Sequence, residues 1–102
     1  MKLRINPLAL QDLLSIKDYT TNELGNPEAA NNIIVKIIES YEKLKAFPLL
    51  GMELSSRIDV VTDYRYLISG SYITFYKFDH IQVSIYRILY VRRDYLKILF
   101  NE

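Results

Sequence analysis

Two Asn-Pro pairs, Asn6-Pro7 and Asn26-Pro27, with Gly25 directly before the second, constrain this chain more than any other feature. Asn can cap the free amides of a helix start, and Pro is tolerated at the first helical position because its missing donor is not needed there. Gly allows the left-handed turn that ends a helix. One helix is therefore expected from Pro7 to about Gly25, and a second begins at once. So short a connection makes the two an antiparallel hairpin. In the second helix Ala30, Ile33, Ile34, Ile37, Ile38, Tyr41 and Leu44 recur at three and four residues, the cleanest helical pattern in the chain. In the first, Leu10, Leu13, Leu14 and, with some slippage, Ile16 and Tyr19 form the apolar stripe, with Asp12 and Asp18 off it. Phe47-Pro48-Leu49-Leu50-Gly51 closes the hairpin, since Pro stops a helix and Gly reverses the chain.

What flanks the hairpin reads as strand. Leu3 and Ile5 alternate with Lys2, Arg4 and Asn6. After Gly51 the segments 64–69, 71–78 and 82–91 are rich in Tyr, Ile, Val, Phe and Thr, and Ser69-Gly70-Ser71 and Asp79-His80-Ile81 part them at hairpin distances. The last segment is apolar on both faces: Val83, Ile85, Leu89 and Val91 on one, Ile88 with Tyr86 and Tyr90 on the other. That places it inside the sheet. The expectation is one α+β domain over residues 1–102: an N-terminal strand, an antiparallel helix hairpin, then a three-strand antiparallel meander with the helices on one sheet face.

Several function classes drop out. The 102 residues contain no cysteine and one histidine. Thiolate chemistry is impossible, and a dedicated metal site is not expected. His80 lies in a turn and reads as solvated, as do the loop acids Asp59 and Asp63. Three scattered glycines make no phosphate loop, so no cofactor is expected. No apolar run approaches the ~20 residues of a membrane helix. No membrane partner is expected, and the absence of cysteine fits a cytoplasmic location.

Tyrosines and arginines remain. Tyr64, Arg65, Tyr66, Tyr72, Tyr76, Tyr86, Arg87, Tyr90, Arg92, Arg93 and Tyr95 crowd the meander. Most of the tyrosines read as strand formers filling a sheet, although aromatics with guanidinium groups also suit nucleic acid. Arg65 and Arg87 lie within strands, where an unpaired charge is costly to bury. Each must pair with a carboxylate or face an open cleft. Arg92, Arg93 and Tyr95 fall past the last strand, where a partner surface is expected. The net charge is only +1, yet residues 57–102 carry seven Lys/Arg against five Asp/Glu.

Over nearly its whole length the sequence resembles the RelE/ParE superfamily of bacterial toxins, and its first half resembles the ParE branch. Residues 6–16 and Tyr19 match the pattern Pro-x-Ala-x-x-Asp-Leu-x-x-Ile-x-x-Tyr, and residues 47–51 match Phe-Pro-x-x-Gly. Tyr64-Arg65-Tyr66 looks like the family's Tyr-Arg motif, and residues 87–94 look like its Arg-Val-Leu-His-x-x-Arg-Asp ending. The resemblance implies the toxin of a type II toxin–antitoxin pair, neutralised by a cognate antitoxin that also carries any binding to operator DNA. Two targets divide the superfamily: DNA gyrase, blocked without cleavage, or ribosome-bound mRNA, cut by a metal-independent endonuclease. For RNA cleavage the resemblance points to Arg65 and Arg93 for charge stabilisation, and to Tyr90 or Tyr95 as stacker or proton donor. Arg87 and Arg92 would then bind phosphate or target. Tyr90 stands where family members often carry histidine, and tyrosine is a poor general base near neutrality. That and the modest charge favour gyrase over mRNA.

Overall fold

The computed structural model describes residues 1–100. Strand β1 (Lys2–Ile5) leads into helices α1 (Pro7–Leu24) and α2 (Pro27–Glu42), followed by the short strand β2 (Met52–Glu53). Strands β3 (Arg65–Ser69), β4 (Tyr72–Phe78) and β5 (Gln82–Tyr90) then form a meander, and helix α3 (Tyr95–Phe100) follows. All the strands join one sheet in the order β1-β5-β4-β3-β2. β1 lies parallel to β5 and the other pairs are antiparallel. The meander and its strand limits agree with the sequence reading to within a residue. β5 is interior, as its two apolar faces require. Among the described residues, no helix is long and apolar enough to cross a membrane.

The helix punctuation works unequally. Asn26 caps α2, its side chain accepting from the N–H groups of Glu28 (3.1 Å) and Ala29 (3.2 Å). Gly25 ends α1 with φ 59° and returns its N–H to the Thr21 carbonyl. Asn6 does not cap α1: its side chain accepts from Arg4 Nη1 at 2.7 Å instead. The stripe of α1 also needs correction. The buried line is Ala9, Leu13, Ile16 and Thr20, at strict helical spacing, whereas Leu10, Leu14 and Tyr19 are 52%, 58% and 62% exposed. A stripe that needed slippage had mixed two faces.

Two apolar clusters sandwich the sheet. The α1–α2 hairpin packs Leu13, Ile16, Ile37 and Tyr41 against Tyr76, Val83, Ile85 and Ile88. On the other face Leu54, Tyr66, Ile73, Phe75 and Leu89 are covered by the segment around Ile58 and by α3, an element the sequence reading did not include. The faces of β5 differ from the expected alternation. Tyr76 pairs with Ile85 while its neighbour Phe75 pairs with Arg87, so Tyr86 is an extra residue, a β-bulge. The bulge moves Ile88 onto the face of Val83 and Ile85, and leaves Leu89 and Val91 on the other.

Candidate functional site

Arg65 and Arg87, the strand arginines of the meander, are both held from within the fold. Arg87 meets Asp12 of α1 in a two-pronged ion pair, Nε to Oδ2 at 2.8 Å and Nη2 to Oδ1 at 2.8 Å. Asp12 Oδ2 also accepts the Ile88 N–H at 2.9 Å. This is possible because β1 stops opposite Ile85, so the β5 edge beyond it has no strand neighbour and α1 lies alongside. The carboxylate thus closes a sheet edge and neutralises a guanidinium together, and its hydrogen bond raises the Arg87 pKa above the ordinary value. The sequence reading placed Asp12 off the apolar stripe and within the ParE-like pattern, but gave it no partner. Its position three residues after buried Ala9 and one before buried Leu13 was the available signal.

Arg65 is spent on the corner after α2. Its Nη2 donates to the carbonyls of Gly51 (2.6 Å) and Leu49 (3.3 Å), and Nη1 reaches Glu53 at 3.5 Å. The Tyr76 hydroxyl donates to the Pro48 carbonyl at 2.8 Å and accepts the Gly51 N–H at 2.9 Å. Gly51 is obligatory for its lack of a side chain: a Cβ there would stand 2.5 Å from Tyr76 Oη and 2.6 Å from the Tyr66 carbonyl. The Phe-Pro-x-x-Gly sequence is therefore a corner at which Tyr76 and Arg65 bond the carbonyls of Pro48, Leu49 and Gly51 and the Gly51 N–H. Phe47, Leu49 and Leu50 project from it into solvent.

The opposite end of the strands is open. A cleft of about 540 Å³ lies between α1 and the ends of β4 and β5, and Tyr90 and Arg93 line it together with Asp12, Ile16, Tyr19, Ile33 and Tyr72. The Tyr72 and Tyr90 rings lie 6.0 Å apart, and burial raises the Tyr72 hydroxyl pKa. Arg92 and Arg93 are exposed in the turn after β5, and neither has an acidic partner among the described residues. Tyr19 and Tyr72 were not among the site residues expected from sequence.

The residues named for RNA cleavage do not meet at one place. Tyr90 and Arg93 share the cleft. Tyr95 lies on the other face, its ring 5.2 Å from that of Phe75. Tyr90 pairs with Tyr72, which pairs with Ser69, so Arg65 stands four residues away along β3, roughly 14 Å at strand rise. Among the described residues, no group of three or more His, Cys, Asp or Glu side chains is placed to hold a metal ion.

The sequence matches the family described as "ParE toxin of type II toxin-antitoxin system, parDE" over residues 3–95. Among solved structures, a chain of the chromosomal ParDE TA system from P. aeruginosa is similar with a TM-score of 0.76 and 24% identity, over 90% of this chain and 97% of that one. At that identity the likeness is one of fold. No curated protein sequence matches.

Proposed function

The chain belongs to the family of ParE toxins of type II toxin–antitoxin systems, and from that premise we propose that it arrests growth by binding and blocking DNA gyrase in the cytoplasm until a cognate antitoxin neutralises it. Operator DNA is contacted by the antitoxin, not by this chain. One observation carries the choice of gyrase over mRNA: the arginines and tyrosines that would cleave RNA are dispersed. In-line cleavage needs a base at the 2′-hydroxyl, charge stabilisation at the phosphorane and an acid at the leaving oxygen, all within hydrogen-bond reach of one phosphate. Arg65 is engaged by three acceptors at the corner, roughly 14 Å from Tyr90, and Tyr95 lies across the sheet. Such a surface supports binding better than catalysis.

Purified toxin added to gyrase is expected to stop supercoiling at near-stoichiometric amounts, and antitoxin to restore it. Unchanged supercoiling at excess toxin would refute this. Codon-phased cuts in primer extension of mRNA from translating extracts would establish the endonuclease in its place.

A further inference from the structure

The run Ala46-Phe47-Pro48-Leu49-Leu50-Gly51-Met52 contains no charged side chain. It forms the corner between α2 and β2, and its main chain is fixed from behind. Tyr76 bonds the Pro48 carbonyl and the Gly51 N–H, and Arg65 bonds the carbonyls of Leu49 and Gly51. The Leu50 N–H closes the turn on the Phe47 carbonyl at 3.0 Å. Such a backing could serve to bury the side chains it carries. Here Phe47, Leu49, Leu50 and Met52 all stay outside, each half exposed or more.

The shape of the corner is as particular as its composition. A notch of about 420 Å³ lies in it, lined by Ala46, Phe47, Pro48, Leu49 and Leu50. Projecting apolar side chains and an apolar recess therefore share one small surface. A two-fold pairing requires that combination, because the same patch must supply both the group that inserts and the recess that receives it. Charge points the same way. The charges that flank the run, Lys45 and Glu53, are paired within the copy, with Glu42 and Arg65. Two corners face to face meet no like-charge repulsion, and an acidic or basic partner finds no charge within the patch to meet. With Met52 beside the notch, the apolar surface is on the order of 500 Å² per copy, at the upper end for a monomer. Two copies together would hide on the order of 1,000 Å², the size at which a specific interface begins.

We propose that this corner is the contact of a two-fold homodimer, in which Leu49 of each copy enters the notch of the other. Tyr76 and Arg65 hold the main chain in place before the copies meet, so little backbone freedom remains to be lost on pairing. The small area makes it a dimer in exchange with monomer and not a permanent one. The cleft beside α1 and the turn of Arg92 and Arg93 lie at the other end of the strands and stay open. The proposal does not depend on gyrase as the target.

Sedimentation velocity of wild-type toxin freed of antitoxin, over about 1–200 µM, is expected to show monomer giving way to dimer. Monomer alone up to about 200 µM overturns the proposal. The variant Leu49→Asp, shown to be folded by circular dichroism, is expected to dimerise at least about tenfold more weakly. Dimerisation within about twofold of wild type removes the corner from the interface. A second readout uses the absence of cysteine from the chain. In Leu50→Cys the only thiol sits at the corner, and a short bismaleimide is expected to join two copies through it. In Leu24→Cys the thiol lies beyond the far end of α2, a helix about 24 Å long, and the copies are expected to stay separate. Joining at both positions alike, or at neither, overturns the two-fold contact. A toxin that stays monomeric while Leu49→Asp loses its hold on gyrase or on antitoxin also overturns it, and gives the corner to that partner.

Discussion

The two ends of the sheet treat arginine in opposite ways. At the corner end, Arg65 is drawn inward by the carbonyls of Leu49 and Gly51, and its Nε is buried without a partner. On β5, Arg87 is likewise drawn inward by Asp12. At the cleft end, Arg92 and Arg93 sit on a turn with their charges in water. The strand arginines Arg65 and Arg87 are structural, whereas Arg4 of β1 and, beyond β5, Arg92 and Arg93 are exposed. Over residues 65–93 the arginines therefore divide into those inside strands and those in the turn after β5.

The sharpest way to break that division is Asp12→Ala. It leaves the Arg87 guanidinium and the Ile88 N–H without their partner, and is expected to cost about 3 kcal/mol, at the low end for a broken buried pair because Arg87 is still 21% exposed. Urea unfolding monitored by circular dichroism would measure it, and a loss under about 1 kcal/mol would show that Asp12 is no linchpin. Gly51→Ala tests the closed corner. The added methyl must displace Tyr76 or the Tyr66 carbonyl, a strain of about 1–3 kcal/mol visible in the same experiment.

Alkaline pH probes both sheet faces at once. Burial raises the hydroxyl pKa of Tyr72 at the cleft and of Tyr64 on the outer face above the ordinary 10.0. Below that value both states are protonated and this contribution is fully present. As pH rises past it the unfolded chain ionises first, so stability falls until the folded hydroxyls also titrate. Thermal melts across about pH 9 to 11 are expected to show Tm declining. The smallest effect belongs to Arg92→Ala and Arg93→Ala, each expected to change stability by less than about 0.5 kcal/mol. A larger loss from either would erase the contrast with Arg65 and Arg87.

Local signals carried most of the fold. Gly25 and Asn26 act within four residues of themselves, and the β-branched and aromatic runs of the meander declare strands without reference to anything distant. The requirement that Arg87 find a carboxylate or an open cleft was also legible, because burying an unpaired charge is costly wherever it stands. Which carboxylate was not legible, since Asp12 is 75 residues away. The bulge at Tyr86 was hidden for a different reason. An alternating pattern assumes an unbroken register, and one inserted residue reverses every assignment after it. Helix α3 was missed because its six residues are too few to show a period. The hint lay in Asp94, whose side chain accepts from the Lys97 N–H at 3.5 Å at the helix start.

The parallel union of β1 with β5 sets when this molecule can become itself. Residues 2–5 of the nascent chain have no strand to join until residues 82–85 have been made, and Asp12 must wait for Arg87. At about 5–20 residues per second, that interval lasts about 4–15 s on the ribosome. The helix hairpin can form early from local contacts, but the sheet it covers is completed last. Each newly made copy therefore lacks its complete sheet until residues 82–85 have been made.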